Sequence, residues 1–210
     1  MTTIRKIKAF ERKYGTTLTQ LLQDGLPDDA SMEMHEDFIE WSGWQRTYEE
    51  AGQVLASLKP LLLGDVAPDF TLKNQHEADV TLSGLRGKKV VLSFHPLAWT
   101  RVCTIQMQDL EQHEADLERL GAVALGLSVD SAPCKKAWAE AIGVQQTSLL
   151  ADFWPHGGVA QAYGIFREKN GFSERAAFIV DQGGVVRFKK IYPLREVPDI
   201  AEILAALKQV

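Results

Sequence analysis

The periodicity of this sequence changes near Gly64, and that change limits what the chain can fold into. Before it, apolar residues recur at helical spacing: Ile4, Ile7, Phe10 and Tyr14, then Leu18, Leu21 and Leu22, until Gly25-Leu-Pro-Asp-Asp interrupts them. A longer helix is expected over 31–61, with Phe38, Trp41, Tyr48, Ala51, Val54, Leu55 and Leu58 forming its apolar stripe and Pro60 and Gly64 marking its end. After Gly64 the pattern becomes short β-rich runs, at 90–94, 123–129 and 177–180, of the kind that buried central strands show. Helical stretches separate them: one carrying Met107, Leu110, Leu117 and Leu120, and two more over 135–142 and 159–163. Gly183-Gly184 after Asp181 reads as a hairpin turn joining 177–180 to 185–189, and Ile200, Ile203, Leu204 and Leu207 close the chain as an amphipathic helix. The expected organisation is a helical extension over 1–63 followed by an α/β domain over 64–210.

Strand, helix, strand, helix, hairpin and helix imply a sheet with a parallel core and one antiparallel pair, which is the order of a thioredoxin-like fold. In open sheets of this kind, chemistry gathers beyond the carboxyl ends of the strands, where a loop feeds a helix. That directs attention to the residues just after Phe94.

Composition narrows the partners. The balance of 23 Lys plus Arg against 28 Asp plus Glu gives a formal net charge of −5, so no global field attracts nucleic acid or an anionic membrane. No apolar run approaches the roughly 20 residues a bilayer crossing needs. The first residues, MTTIRK, lead into charge rather than an apolar signal core, so a cytoplasmic location is expected. Two cysteines, Cys103 and Cys134, are too few for a disulfide framework, and their chemistry is expected to be redox or nucleophilic.

Cys103 falls in the first turn of the helix that follows the strand at 90–94. Free backbone N–H groups and the positive end of the helix dipole favour an anion there, so a thiol at this place tends to ionise. A dithiol oxidoreductase would need a second cysteine three residues earlier, but that residue is Thr100. A hydroxyl cannot resolve a disulfide; it can hold a small polar substrate against the sulfur. The segment is built for one attacking thiolate.

The motif Pro96-x-x-x-Thr100-x-x-Cys103 resembles the active-site motif of the peroxiredoxins, the alkyl hydroperoxide reductase and thiol-specific antioxidant superfamily. GDVAPDFTL from Gly64, LSGLRGKKVVL from Leu82, Tyr163-Gly-Ile and Arg175-Ala-Ala-Phe-Ile-Val-Asp look like the family's other landmarks in the right order. The resemblance covers the chain from about Gly64 onward and implies a thioredoxin-like fold of peroxiredoxin type. It implies a thiol-dependent peroxidase that reduces hydrogen peroxide and small organic hydroperoxides through a cysteine sulfenic acid, without metal, haem or flavin. Cys103 is then the peroxidatic nucleophile, Thr100 orients the peroxide, Arg175 stabilises the thiolate and the developing alkoxide, and Pro96 shields the sulfur from water. Arg101 and Gln106 depart from the commonest family pattern, in which an apolar residue or proline and a glutamate stand.

Recycling leaves two routes. Cys134, at the start of the next helix and on the same rim of the sheet, is a candidate resolving cysteine, with Lys135 and Lys136 helping it to ionise. Bridging two helix starts requires Cα atoms within about 7 Å, so one helix would have to unwind locally. Otherwise an external thiol, a small thiol or a thioredoxin-like protein, reduces the sulfenic acid, and Cys134 is a small buried hydrophobe. Two rival functions remain beside the peroxidase: a thiol-disulfide reductase, and a redox sensor or holdase that uses Cys103 without sustained turnover. His95, beside Pro96, has two readings, tuning the pocket or the favoured structural or solvent-facing role, and His35, His76, His113 and His156 read as surface residues. Trp41, Trp44 and Tyr48 are expected to pack either against the sheet of the same chain or against a second copy in a homodimer. Glu33, Glu36, Asp37 and Glu40 are expected to form a solvated face.

Overall fold

The computed structural model describes residues 3–58 and 60–210, with the side chains at 3, 22 and 48–58 outside that description. The chain forms two compact units, Met1–Lys59 and Pro60–Val210.

The first unit holds three helices: α1 (Thr3–Tyr14), α2 (Leu18–Asp24) and α3 (Met32–Leu58). The last of these stops short of the 31–61 span expected, because Pro60 cannot continue a helix. Trp41 is fully buried among Leu18, Leu21 and Phe10, and its ring stacks on that of Phe10 at 5.8 Å. The burial of Trp41 is satisfied inside the helical unit itself. Tyr48, Ala51, Val54, Leu55 and Leu58 have side chains outside the described residues. The acidic face expected to be merely solvated is partly tied to α1. Lys13 donates to Glu33 at 2.6 Å and to Asp37 at 2.5 Å, Tyr14 donates to Asp37 at 2.5 Å, and Lys6 lies 3.6 Å from Glu40.

The second unit is built on a seven-stranded sheet. In chain order its elements are β1 (Thr71–Lys73), β2 (Asp79–Thr81), β3 (Lys89–Phe94), α4 (Arg101–Gln112), α5 (Glu114–Arg119), β4 (Ala122–Ser128), α6 (Ala132–Ile142) and β5 (Ser148–Ala151). They continue with α7 (Gly158–Ala162), a small hairpin of β6 (Phe166–Arg167) and β7 (Phe172–Ser173), then β8 (Arg175–Val180), β9 (Val186–Tyr192) and α8 (Ile200–Leu207). Strand order across the sheet is β2-β1-β5-β4-β3-β8-β9. Strands β3, β4 and β5 are parallel, whereas β8 and β9 on one side and β1 and β2 on the other run antiparallel. A parallel core was expected with one antiparallel pair; four antiparallel pairings occur in this sheet. The additional strands β1, β2 and β5 have only three or four residues, too short for an alternating pattern to stand out in the sequence.

Alternation along the strands makes two cores. Val90, Leu92 and Phe94 face one layer with Leu125, Leu127 and Phe178, while Val91, Ala177 and Ile179 face the other with α8. On that second face α4 lies close against β4. A Cβ added at Gly126 would collide with the Met107 sulfur and crowd the Leu149 side chain, so glycine here leaves room for the side chains packed between α4 and the sheet. No helix among the described residues is long and apolar enough to cross a membrane.

Candidate active site

The parallel ladder pairs Phe94 of β3 with Leu127 of β4, and the antiparallel ladder pairs the same Phe94 with Ala176 of β8. Arg175, one residue earlier on β8, therefore lies beside the chain as it leaves β3 toward α4. Sheet register alone delivers the arginine to the helix start, from 72 residues away in sequence.

Thr100 is the residue before α4, with extended backbone (φ −102°, ψ 145°), and Cys103 is the helix's third residue. The Arg175 guanidinium holds the sulfur, with Nη2 donating to Cys103 Sγ at 3.4 Å. Its remaining donors are fixed. Nε and Nη2 donate to the Leu194 carbonyl at 3.2 and 2.8 Å, and Nη1 donates to Gln106 Oε1. Gln106 in turn donates through Nε2 to Ser93 Oγ at 2.8 Å and to the Phe94 carbonyl at 3.2 Å. Arg175 and Gln106 are both buried, so this lattice of donors and acceptors defines one rotamer for the cation. Gln106, where the family commonly has glutamate, makes the contact as a neutral acceptor. The guanidinium charge is left uncompensated for the sulfur.

Cys103 itself has no solvent exposure. It packs with Ala98, Met107, Leu110 and Trp138. Apolar side chains close one side of the sulfur and the guanidinium stands on the other. Thr100 is likewise turned away, its hydroxyl donating to the Leu97 carbonyl at 3.0 Å. Pro96 is buried, whereas Leu97, Trp99 and Thr100 form an exposed rim. Trp99 has φ of 63°, a left-handed conformation that costs a non-glycine residue about 1–2 kcal/mol. The segment between Pro96 and α4 is thus strained at Trp99 and exposed at Leu97, Trp99 and Thr100.

Cys134 occupies the equivalent place on α6, third in the helix, where Ser131 accepts from its N–H at 3.4 Å. It is partly buried, and its sulfur lies 3.9 Å from the Asp130 carboxylate. Asp130 also accepts from Ala98 N–H at 2.8 Å and from Ser128 Oγ at 2.6 Å, linking the rim before α4 to the end of β4.

The neighbours expected to serve Cys134 behave differently from each other. Lys136 is exposed, but Lys135 is fully buried, with Nζ 2.9 Å from His95 Nε2. His95, expected to be structural or solvent-facing, has no exposure and is far from solvent. Burial, with the Lys135 and Arg175 charges, holds its imidazole well below the usual histidine range. Burial also pulls Lys135 down to about 7, against the opposing pull of Asp130, Cys103, Cys134 and Asp152. A signal for Lys135 existed in the sequence: Ala132, Lys135, Trp138 and Ala139 share one helical face, all buried. Among the remaining histidines, His35, His76 and His156 are exposed and His113 is half-buried.

Residues 63–189 match the AhpC/TSA family. Alkyl hydroperoxide reductase E of Mycobacterium tuberculosis is 44% identical over 140 residues, covering 66% of this chain and 91% of that protein. A peroxiredoxin of Thermoplasma volcanium is 36% identical over 154 residues, covering 71% and 74%. The crystal structure of Enterococcus faecalis AhpC superposes with a TM-score of 0.66 at 28% identity, covering 71% of this chain and 92% of that one. The reduced 2-Cys peroxiredoxin of Plasmodium vivax gives 0.64 at 26% identity, covering 71% and 81%. The second unit has the thioredoxin-like fold of these proteins, and a sulfur met by a buried guanidinium at a helix start suits the reduction of a hydroperoxide. The chain belongs to the AhpC/TSA family, the peroxiredoxins, and is a thiol-dependent peroxidase.

Proposed function

We propose that Cys103 is the peroxidatic cysteine and that Arg175, Thr100 and Pro96 complete its site. The observation that carries this reading is the 3.4 Å approach of Arg175 Nη2 to Cys103 Sγ in the first turn of α4. Positive charge from the guanidinium and from the helix start favours the thiolate, which attacks one peroxide oxygen and becomes sulfenic acid. The alkoxide or hydroxide that leaves takes up a proton, and the same guanidinium stabilises its charge as it develops. Pro96, without an N–H, adds no competing donor to the pocket. Because the sulfur is covered, substrate entry requires the rim 97–100 to move. Thr100 then exchanges its bond to the Leu97 carbonyl for one to the peroxide.

An external thiol is the reading we favour for the return step. Cys103 and Cys134 are each anchored in the first turn of a separate helix, and joining them would cost the start of α4 or of α6. A homodimer in the cytoplasm completes the reading, the exposed Leu97 and Trp99 offering apolar surface beside the site.

Intact mass after one equivalent of hydrogen peroxide tests the assignment. An added oxygen on the wild type, absent from Cys103→Ser, is the expected result. Loss of two hydrogens would instead make Cys134 the resolving cysteine, and oxidation that survives in Cys103→Ser would remove Cys103 from the reaction. Continuous peroxide consumption with a thiol donor separates an enzyme from a sensor, which is oxidised once.

A further inference from the structure

The segment between β3 and α4 alternates in burial. Leu97 and Trp99 are exposed, while Ala98 between them is buried and belongs to the same apolar cluster as Cys103, Met107, Leu110 and Trp138. Trp99 holds φ of 63°, a conformation that persists in a non-glycine residue only where the surroundings impose it. A segment turned inward at Ala98 against that strain needs an anchor.

The hydrogen bonds of the segment supply one. Its ends are held by regular structure: His95 N–H donates to the Leu127 carbonyl at 3.0 Å, and the Thr100 carbonyl accepts from Thr104 N–H at 2.9 Å. The Leu97 carbonyl accepts from the nearby Thr100 hydroxyl at 3.0 Å, a local bond. Among the described residues, the hydrogen bond that ties 96–99 to a distant part of the chain is Ala98 N–H to Asp130 Oδ2, at 2.8 Å across 32 residues. The same oxygen accepts from Ser128 Oγ at 2.6 Å, and Ser128 is buried at the end of β4. The other oxygen faces the Cys134 thiol of α6 at 3.9 Å. The carboxylate is thus steadied from β4 and α6 while it grips the segment. Its charge makes the bond to Ala98 N–H stronger than one to a neutral acceptor.

We propose that Asp130 is a positioning residue that clasps the segment 96–99 closed against Cys103, and that release of Ala98 N–H is the step that lets reagents reach the sulfur. The assignment rests on Cys103 being the peroxidatic cysteine, which has no solvent exposure in the closed arrangement. Opening then breaks one side-chain bond and leaves α4 wound. The contacts that fix the Arg175 guanidinium run to Gln106 and Leu194, and those of Gln106 to Ser93 and Phe94, so none passes through 96–99. Access to the sulfur and activation of the sulfur are carried by separate parts of the structure.

Two rates test this on the full-length protein, in wild type, Asp130→Ala, Asp130→Asn and Ser128→Ala. They are exchange of the Ala98 amide hydrogen and alkylation of Cys103 by iodoacetamide, both read by mass spectrometry of peptides. In Asp130→Ala both rise about tenfold, with the Val91 and Leu92 amides of β3 exchanging as in wild type. Asp130→Asn keeps an oxygen for Ala98 N–H and holds both rates within about twofold of wild type, although it lacks the charge as fully as alanine does. A field effect on the thiol would make those two variants alike. Ser128→Ala, which loosens the same oxygen, moves both rates upward by about threefold and carries the test should Asp130→Ala fail to fold. Wild-type rates in Asp130→Ala, or in Ser128→Ala where it stands in, overturn the proposal. So do faster exchange with unchanged alkylation, equal effects of alanine and asparagine, or a rise at Val91 and Leu92 that matches the rise at Ala98, the mark of global unfolding. Absence of Cys103 oxidation by hydrogen peroxide in the wild type would instead defeat the parent reading, so the two failures are distinguishable.

Discussion

Cys103 and Cys134 occupy the same place in two consecutive units of the sheet: each follows a parallel strand and stands third in the helix after it. The helix-start contribution to their electrostatics is therefore alike, and their environments are not. Cys103 is fully buried with a guanidinium at 3.4 Å, whereas Cys134 is partly exposed with a carboxylate at 3.9 Å. A helix start favours the thiolate at either place, but the nearest side-chain charge named for each is opposite in sign, which is why Cys103 is the one proposed as the nucleophile.

The comparison breaks most completely at Arg175. Arg175→Met should lower the rate of Cys103 oxidation by about 10²–10³, the effect of removing one donor from a preorganised anion site, as measured by stopped flow with hydrogen peroxide. Arg175→Lys should recover only part of it, since an ammonium cannot serve Gln106, Leu194 and the sulfur together. A smaller loss, about tenfold, is expected for Gln106→Leu, which frees the guanidinium to leave its rotamer; a rate equal to wild type would show that Leu194 alone is sufficient. Asp130→Asn sharpens the other half. With the carboxylate charge gone and an amide oxygen still available to Ala98 N–H, alkylation of Cys134 by iodoacetamide should rise about threefold, read by peptide mass mapping. The smallest effect is expected for Cys134→Ser, which should leave the first oxidation of Cys103 within about twofold of wild type. Slow sulfenic acid formation in that variant would mean that the two cysteines are coupled before any disulfide forms.

The parts of the fold that were legible share a cause. Strands β3, β4 and β8 are long and buried on both faces, so their apolar runs stand out, and α4, α6 and α8 repeat with helical period. Strands β1, β2 and β5 are short, and two of them lie at the sheet's margin with polar residues at alternate positions, which reads as loop until a partner strand supplies the ladder. The candidate site divides in the same way. Cys103, Thr100 and Pro96 sit within eight consecutive residues, so their spacing was visible. Lys135 and Lys136 read alike as neighbours serving Cys134, because an adjacent lysine hides the helical face that buries Lys135. The burial of His95 was not legible for a similar reason: one histidine at a strand end carries no spacing, and its burial depends on Trp138 and Lys135 arriving from a helix.

By itself, the order of residues determined that a single thiol, lacking a second cysteine three residues earlier, stands at the start of a helix after a buried strand. That follows from local periodicity and from the chemistry of one short motif, both of which act over a few residues. Only the tertiary structure decided which charges surround that thiol, how deeply it is covered and where the hydroxyl of Thr100 points. Coulomb interactions and desolvation depend on distances through space. Antiparallel register brings Arg175 to Cys103 across 72 residues of chain, and helix packing brings Lys135 to His95 across 40.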